Sequence, residues 1–380
     1  MLAGYWSGVP SLARHGRFVP RPLWRRFVRY APIGLPPERV RWFAWPPVLR
    51  RLADAALPSA AASRMDFAAC RLFDRWAARR LASAGAGAII ACEISALETF
   101  RVARTRGMRT LLDAPSIHHA AQDRLHGFTE PGPLHRRITA VKDREIELAD
   151  AVITVSELAR ETYLEAGVAP ERVFAIPLGA DTELFSLGEP EVYAAAGAKE
   201  SGGFSFVFSG AMIRRKGFDL LLEAFDRVRQ GAPEARLVIA GPTGDAAGCL
   251  DRYDRSGIEL LGSLPQAELA RLFRAADCLV LPSRNDSFGL VVAEALACGL
   301  PVIASRMVGA KDLIVEGESG WVVPVEDVGA LAERMSWCAR HRREVGAMRP
   351  ACREAAAAAT WPSYHRRFAQ AITAFLEAGR

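Results

Sequence analysis

Two hydrophobic patterns alternate along most of this sequence. Short, continuous apolar runs, such as 279–282 and 302–304, are typical of strands that are buried on both faces of a sheet. Longer stretches such as 67–81 carry apolar residues at helical spacing, which predicts amphipathic helices. Strands that alternate with helices in this way form parallel sheets covered on both faces, so the pattern predicts an α/β protein.

The predicted elements fall into two groups along the chain. The first group has strands at 87–92, 108–112, 152–155 and 173–176, with helices at 67–81, 134–149 and 157–166. The second group has strands at 204–209, 236–240, 258–261, 279–282, 302–304 and 321–324, with helices at 218–229, 266–275, 290–298, 328–340 and 361–376. Ser95 and Glu98 predict a capping box at the start of one more helix. Prolines throughout 1–60 predict loops and short helices there.

A chain of 380 residues, 50% of them hydrophobic, is long for one domain and predicts two domains with separate cores. No apolar run has the length of a membrane span, and the start lacks the pattern of a secretion signal. We therefore expect a soluble, cytoplasmic protein. The seven cysteines show no spacing typical of zinc ligands, which predicts reduced thiols and no metal site.

The net charge of +6 comes from arginines in the first part of the chain. Fifteen arginines lie between Arg14 and Arg80, interleaved with Trp24, Trp42 and Trp45. This mixture suits an anionic membrane surface or a phosphorylated, lipid-linked acceptor, and it suggests peripheral contact with the inner face of the plasma membrane. A codon bias towards arginine on solvated helices accounts for it equally well. No recognition motif for nucleic acid accompanies the charge, so we expect no nucleic-acid partner.

The most informative stretch is Ser283–Ser305, which reads SRNDSFGLVVAEALACGLPVIAS. Its loop follows a predicted strand and opens a helix, and open α/β sheets bind ligands at this edge. The amides of Phe288, Gly289 and Leu290 are the unpaired donors of the first helical turn, which suits an anionic group. Gly289 also lets that group approach the backbone closely.

Two carboxylates flank this predicted anion site. Asp286 lies in the loop, and Glu294 lies about one turn into the helix. Two acceptors beside an anion site suit a polyhydroxylated ligand that carries phosphate. The alternative is that Asp286 only caps the helix and Glu294 is an ordinary helix residue.

Two further loops also follow predicted strands. The loop from Gly210 to Gly217 contains Arg214, Arg215 and Lys216, cations that fit a diphosphate, although a solvated basic turn has the same composition. The loop DAPSIHH, from Asp113 to His119, offers a histidine that can donate a hydrogen bond to a hydroxyl or a phosphate. A polar surface histidine is the alternative there. We interpret Asp113 as a turn residue that orients the loop.

Ser283–Ser305 resembles the donor-sugar signature of the retaining nucleotide-sugar glycosyltransferases of family four, also described as glycosyl transferases group 1. That signature has two glutamates separated by seven residues; Glu294 matches the second, and Asp286 is one methylene shorter than the first. The resemblance implies that the first carboxylate contacts the donor sugar and the second the ribose. It also implies that the amides of 288–290 face the sugar and the phosphate.

The resemblance extends to the other loops. It implies that a histidine of the loop from Asp113 to His119 lies next to the donor sugar. The pattern favours His118 over His119. Lys216 matches a family lysine, whereas the arginine that normally follows Gly210 is absent because position 211 is alanine. Arg214 or Arg215 can replace it, and we predict Arg214. Leu264 resembles an apolar contact to the nucleobase.

The implied architecture is GT-B: two Rossmann-like doubly wound α/β domains facing a central cleft. We expect an N-terminal, acceptor-side domain over 1–180 that lacks its first strand and helix, and a linker over 181–203. The donor-binding domain is predicted over 204–350, and a C-terminal helix at 351–380 is implied to return to the first domain.

The predicted function is that of a retaining glycosyltransferase. It moves a sugar from a UDP- or GDP-sugar to a hydroxyl of a glycan or lipid-linked acceptor, and a role in cell-surface polysaccharide or lipid-linked glycan synthesis is favoured. His118, Asp286 and Lys216 are the predicted catalytic residues, and neither metal nor cofactor is expected. Because Ala211 and Asp286 depart from the family pattern, a nucleotide-sugar-binding protein without turnover is the alternative. A nicotinamide dehydrogenase is disfavoured because no GxGxxG motif follows a strand.

Overall fold

The structure is a computed structural model that describes residues 5–7, 40–42, 59–81, 85–126, 132–188 and 203–378. Its strands are β1 (Tyr5–Ser7), β2 (Val40–Trp42), β3 (Ala88–Cys92), β4 (Arg109–Ala114), β5 (Ala151–Thr154), β6 (Val173–Ala175), β7 (Ser205–Ser209), β8 (Arg236–Ala240), β9 (Ile258–Gly262), β10 (Cys278–Leu281), β11 (Val302–Ser305) and β12 (Gly320–Val323). Its helices are α1 (Ser59–Leu81), α2 (Leu97–Thr105), α3 (His119–His126), α4 (Pro133–Leu148), α5 (Glu157–Glu165), α6 (Phe218–Gly231), α7 (Gln266–Ala275), α8 (Leu290–Ala297), α9 (Val328–Arg340), α10 (Arg342–Ala347), α11 (Arg349–Ala357) and α12 (Trp361–Glu377).

The chain divides into two compact units. The first unit comprises Met1–Pro115, Phe128–Ile153 and Pro170–Val173, and the second comprises Ser116–Gly127, Thr154–Ala169 and Phe174–Arg380. This division differs from the predicted boundary at residue 180, because three segments up to that residue, 116–127, 154–169 and 174–180, belong to the same unit as the C-terminal part of the chain. The predicted domain boundaries therefore stay predictions.

The second unit contains a six-stranded sheet in the order β12-β11-β10-β7-β8-β9, and each pair of neighbours is parallel. All residues of β7, β10 and β11 are buried. Helices therefore cover both faces of the sheet, as the continuous apolar runs predicted. A large apolar cluster that includes Phe206, Phe218 and Leu279 fills the core of this unit.

A second sheet has the order β3-β4-β5-β6, and β3 is parallel to β4 with Cys92 opposite Asp113. Asp113 lies within β4, so its interpretation as a turn residue is wrong. Burial, and then the nearby Glu93 carboxylate, raise the pKa of Asp113. The chain turns only after Ala114, so the loop that leads to His118 begins two residues later than the sequence indicated.

The strands and helices predicted within the described ranges are present, and most of their ends agree to within two residues. α1 is the main exception, because it begins at Ser59 rather than residue 67. Its first turns are rich in alanine, which has the highest helix propensity but adds nothing to an amphipathic pattern.

The predicted capping box at Ser95 and Glu98 is wrong. α2 begins after Ala96, and no side chain of its own first turn caps it. Instead, the Glu145 carboxylate accepts hydrogen bonds from the amides of Ile94 at 2.7 Å, Ala96 at 2.9 Å and Leu97 at 3.1 Å. The Glu98 amide, which Ser95 would have bound, donates to Asp74 Oδ2 at 2.8 Å. Carboxylates from α4 and α1 therefore take the place of the local cap, because they accept the orphan amides at the start of the helix.

Several predictions concern residues outside the described ranges. Apart from β1 and β2, which pair in parallel, the prediction of loops and short helices at 1–60 lies outside them. The same holds for most of the arginine-rich segment and for most of the linker at 181–203. Among the described helices, none combines the length and the apolar character needed to cross a membrane. All seven cysteines lie in the described ranges, and none of them forms a disulfide.

Candidate functional site

The candidate site lies where the order of the second unit's sheet changes direction. From β7 the chain first adds β8 and β9 on one side and then returns to place β10 on the other side. At such a switch point the loops that follow the two central strands diverge and leave a crevice at the carboxyl ends of the strands, which is where open α/β sheets bind ligands. The loops here are 210–217 after β7 and 282–289 after β10.

The two loops are joined by an ion pair. The Lys216 ammonium donates a short hydrogen bond to the Asp286 carboxylate, and the two side chains are 19% and 12% exposed. Gly217 allows this approach: its φ is +69°, and a Cβ on it would lie 2.0 Å from the Pro282 carbonyl oxygen. The structure therefore brings together two of the three predicted catalytic residues.

The loop that carries Asp286 is fixed by backbone hydrogen bonds to the segment after β11. The Asp286 amide donates to the Met307 carbonyl at 2.9 Å, and the Asp286 carbonyl accepts from the Gly309 amide at 2.9 Å. The Phe288 carbonyl accepts from the Ala310 amide at 2.6 Å. These bonds fix the backbone of Asp286 against the segment 307–310, which favours a preorganised site.

Gly289 precedes α8 with a φ of +85°, which is favourable only for glycine. A Cβ at Gly289 would lie 2.7 Å from Val308 Cγ1 and 3.4 Å from Asp286 Oδ2. No side chain caps α8. Within the described part of the chain, the amides of Phe288, Gly289 and Leu290 have no hydrogen-bond acceptor, so the start of α8 keeps donors for an anion, as predicted.

Glu294 lies one turn further along α8. Burial raises the pKa of its carboxyl group to about 7. No described residue forms a hydrogen bond or an ion pair with that carboxyl group. A half-buried acid without a protein partner, on the helix that begins at Gly289, is well suited to accept hydrogen bonds from a ligand.

The arginines of the first loop differ in their environment. Arg215 Nη1 donates to the Asn285 carbonyl at 2.9 Å, so this side chain already supports the second loop. Arg214 is exposed, and its backbone is held by its neighbours: its amide donates to Asp245 Oδ1 at 2.8 Å, and its carbonyl accepts from Arg284. The Arg214 guanidinium therefore has the greater freedom of the two, and its role in phosphate binding stays a prediction.

The remaining predicted residues lie at strand ends of the same unit. Gly210 follows β7, and its amide donates to the Ala240 carbonyl at 2.9 Å; a Cβ on Gly241 would lie 1.8 Å from the Gly210 oxygen. Leu264 follows β9 and packs, partly buried, against the core. Contact of either residue with a nucleotide stays a prediction.

His118 is buried rather than a polar surface group, since it is only 6% exposed. Its amide donates to Thr162 Oγ1 at 2.9 Å, and its ring meets the Tyr163 ring edge to face at 5.0 Å. The Ala120 amide donates to Nδ1 at 3.2 Å, so in the neutral imidazole the proton is on Nε2. That nitrogen can donate a hydrogen bond to a ligand.

Sequence reasoning missed a network beneath the first loop. Arg284 donates to both oxygens of Asp219, at 2.7 Å and 3.0 Å, and also to Glu326 at 2.6 Å. Burial alone would raise the pKa of Asp219, but the Arg284 guanidinium outweighs burial and lowers it. The only signal for this network in the sequence is the acid in the first turn of α6.

Comparison with known proteins identifies the family. The sequence model of the family described as Glycosyl transferases group 1 matches residues 203–341. D-inositol 3-phosphate glycosyltransferase 1 of Catenulispora acidiphila is 30% identical over 293 residues, which are 73% of this chain and 70% of that protein. Other D-inositol 3-phosphate glycosyltransferases match over about half of their length.

Two solved structures resemble this one in fold. Sucrose-phosphate synthase from Thermosynechococcus elongatus has a TM-score of 0.69 at 23% identity, over 82% of this chain and 79% of that chain. HepE from Anabaena in complex with UDP-glucose has a TM-score of 0.63 at 17% identity, over 89% of this chain and 92% of that chain. At these identities the likeness shows the fold alone. Together with the homology to the Catenulispora enzyme, it establishes that the chain belongs to the group 1 glycosyltransferases of family four and has the GT-B fold.

Proposed function

We propose that this glycosyltransferase is a retaining, metal-independent hexosyltransferase that uses a nucleoside diphosphate sugar. The observation that carries the proposal is the Lys216–Asp286 pair at the switch point, beside the uncapped start of α8. A cation and free helical amides suit a diphosphate, and a carboxylate beside them suits a sugar hydroxyl. UDP- and GDP-sugars are the proposed donors, and the complex of HepE with UDP-glucose supports that class.

In the proposed reaction the bond between the anomeric carbon and the diphosphate breaks, and negative charge develops on the leaving phosphate. Lys216, Arg214 and the amides of 288–290 stabilise that charge, because preorganised dipoles and cations favour the transition state over the ground state. The acceptor hydroxyl attacks from the face that the leaving group vacates, and the phosphate takes its proton. This sequence retains the configuration of the sugar.

His118 has a positioning and binding role in this proposal. Its neutral tautomer keeps the proton on Nε2, which donates a hydrogen bond to a hydroxyl of the donor sugar. Asp286 accepts a hydrogen bond from another hydroxyl once a phosphate competes for Lys216. Glu294 accepts hydrogen bonds from the ribose.

The acceptor is proposed to be a hydroxyl of a glycan or a lipid-linked sugar. The name of the Catenulispora relative supports a polyol acceptor, and the arginines and tryptophans of the first part of the chain favour a role at an anionic membrane. The relative's name and the arginine and tryptophan content agree with a cytoplasmic protein at the inner face of the plasma membrane that acts in cell-surface glycan synthesis.

A screen of UDP- and GDP-sugars by thermal shift tests the donor. A ligand at a hundred times its dissociation constant adds about 2.7 kcal/mol of stability and therefore raises the melting temperature measurably. The donor that binds is then incubated with candidate acceptors, and NMR of the product reports the anomeric configuration. An inverted product excludes the retaining mechanism, and activity lost on dialysis against a chelator excludes metal independence.

A nucleotide-sugar-binding protein without turnover is the second candidate. It is favoured by Ala211, which lacks the family's cation, and by an Asp286 carboxylate that is already paired with Lys216. Calorimetry and product release separate the two candidates. Tight binding of a nucleotide sugar with neither transfer nor hydrolysis favours the binding protein.

A further inference from the structure

Ser287, between Asp286 and Phe288, forms two hydrogen bonds to segments far away in the chain. Its Oγ accepts from the Ile117 amide at 3.1 Å, and its carbonyl accepts from Ser156 Oγ at 2.5 Å. Both partners are buried, at 0% and 1% exposure, and all three residues belong to the second unit. Ile117 directly precedes His118, so the Ser287 side chain connects the loop that carries Asp286 to the loop that carries His118.

Ser156 continues this connection on the other side. Its Oγ also caps α5 by accepting from the Ala159 amide at 3.0 Å, and α5 supplies Thr162, whose Oγ1 accepts from the His118 amide at 2.9 Å. The backbone around His118 is therefore held at two successive amides. The Ile117 amide is bound by Ser287, and the His118 amide is bound by Thr162 of α5. Ser156, which caps α5, in turn binds the Ser287 carbonyl.

The packing around Ser287 leaves little room for another arrangement. A Cβ on Gly309 would lie 2.2 Å from the Ser287 carbonyl oxygen and 2.6 Å from Ser156 Oγ. The Gly309 amide also donates to the Asp286 carbonyl at 2.9 Å. Ser287 is half-buried, and its backbone is held between groups that are themselves bonded to the donor loop. Its hydroxyl is held as an acceptor by the Ile117 amide.

We infer that Ser287 is a positioning residue that sets the His118 imidazole relative to the donor-binding loop. This inference rests on the proposed function, since it assigns His118 to the donor sugar. Ser287 itself touches neither sugar nor phosphate in this account. It acts by holding the Ile117 amide, and it thereby fixes the ring whose Nε2 donates to the sugar. Sugar transfer requires the groups that contact the donor to be positioned within a fraction of an ångström, because small displacements lower the rate.

The main test is the variant Ser287→Ala, which removes the hydroxyl and leaves the carbonyl bond to Ser156. We expect kcat for sugar transfer to fall about tenfold, which corresponds to a small misplacement of one group, while the dissociation constant of the nucleoside diphosphate changes less than about twofold. Ser287→Thr keeps the hydroxyl and is expected to restore most of the rate. Ser256→Ala, in an exposed turn of the same unit, is the matched control and is expected to leave kcat unchanged.

A double-mutant cycle shows whether Ser287 acts through His118. If it does, Ser287→Ala combined with His118→Ala is no slower than His118→Ala alone, because contacting residues with one shared role are not additive. Losses that multiply in the double variant overturn the inference. So does a Ser287→Ala enzyme with the rate of the wild type.

A readout without turnover separates this inference from the proposed function. Imidazole nitrogen NMR reports the tautomer and mobility of His118, and its signals are identified by their loss in His118→Ala. We expect Ser287→Ala to shift or broaden these signals and Ser256→Ala to leave them unchanged. Unchanged His118 signals in Ser287→Ala overturn the inference even if transfer is never detected, whereas a wild type that transfers no sugar, with shifted signals in Ser287→Ala, counts against the proposed function alone.

Discussion

The Lys216 ammonium donates a hydrogen bond to the Asp286 carboxylate across 70 positions of sequence. The cation that suits a diphosphate is therefore neutralised by the carboxylate that suits a sugar hydroxyl. A donor that carries both groups can separate the pair, because its phosphate replaces the carboxylate at Lys216 and its hydroxyl replaces the ammonium at Asp286. A ligand with only the diphosphate has to compete with Asp286 without that compensation.

The pair gives a prediction with opposite signs for binding and catalysis. We expect Asp286→Asn to bind nucleoside diphosphate about fivefold more tightly, because it removes a competing carboxylate worth about 1 kcal/mol at this partly exposed position. The same variant is expected to lose at least tenfold in kcat, because a neutral amide stabilises developing positive charge at the sugar less well. Calorimetry with the nucleoside diphosphate and steady-state kinetics measure the two effects.

Lys216→Ala is the matched variant at the other end of the pair. It is expected to weaken binding of the nucleoside diphosphate, and its binding is expected to depend less steeply on salt. If Asp286→Asn binds the nucleoside diphosphate more weakly than the wild type, the competition described for the ion pair is wrong.

Glu294 predicts a pH dependence of stability. Burial raises the pKa of its carboxyl group from 4.5 to about 7 in the folded protein. The folded state therefore binds the proton more tightly than the unfolded state does. This preference contributes fully to the free energy of unfolding below the unfolded pKa of 4.5, and the contribution is lost as the pH rises through about 7. The loss is at most about 3 kcal/mol, and we expect Glu294→Gln to abolish it. Unfolding in urea at several pH values between about 4 and 8 measures the difference from wild type.

Donor binding adds a second consequence at the same group. Ribose hydroxyls that donate to Glu294 favour its ionised form, so binding lowers its pKa and releases a proton at a pH between the lowered pKa and about 7. Calorimetry in buffers of different ionisation enthalpy detects that proton. Glu145 also has a pKa raised to about 7 by burial, against the backbone amides that lower it, but it lies in the first unit and is unchanged in Glu294→Gln. A donor that binds without proton release argues against Glu294 as its ribose contact.

Sequence patterns predicted the parts of this protein that depend on local order. The apolar runs and the glycine at 299 define β10, α8 and β11, because burial and helix termination act within a few residues. The loops that carry Lys216 and Asp286 were predicted for the same reason, since both directly follow strands. The resemblance to the family implied that both loops line one site, but the ion pair between Lys216 and Asp286 was not predicted, because periodicity carries no information on which side chains meet.

The features that the sequence did not predict share a long separation along the chain. Glu145 binds the Ala96 amide across 49 positions, and Ser287 accepts from the Ile117 amide across 170. Ser95 and Glu98 had the local signature of a cap, but Glu145 accepts from the amides of Ile94, Ala96 and Leu97, and the Glu98 amide donates to Asp74 instead. A tertiary partner of this kind overrides a local preference worth about 1 kcal/mol.

Substitution of Gly217 tests whether the close approach of the two loops requires glycine at this position. A Cβ there would lie 2.0 Å from a backbone oxygen, and the φ of +69° is unfavourable for any other residue. We expect Gly217→Ala to lose about 2 kcal/mol or more in free energy of unfolding and to weaken donor binding. Gly346→Ala is the control, because Gly346 lies in α10 with open space around it. Helix propensity predicts that it gains up to about 1 kcal/mol. Equal effects of the two substitutions contradict the role of Gly217.

Glu145 predicts a change confined to the first unit. Its carboxylate is the acceptor for three amides at the start of α2, and burial prevents water from replacing it. Glu145→Ala leaves those donors unsatisfied, at about 1–3 kcal/mol for each buried group, so we expect a loss of at least about 3 kcal/mol. Glu147→Ala is the control, since Glu147 is exposed and its ion pair with Arg144 is worth less than about 1 kcal/mol. Hydrogen exchange then separates the units: faster exchange in α2 and β3 with unchanged α8 is expected. Uniform acceleration in both units shows that they unfold together and contradicts a local effect.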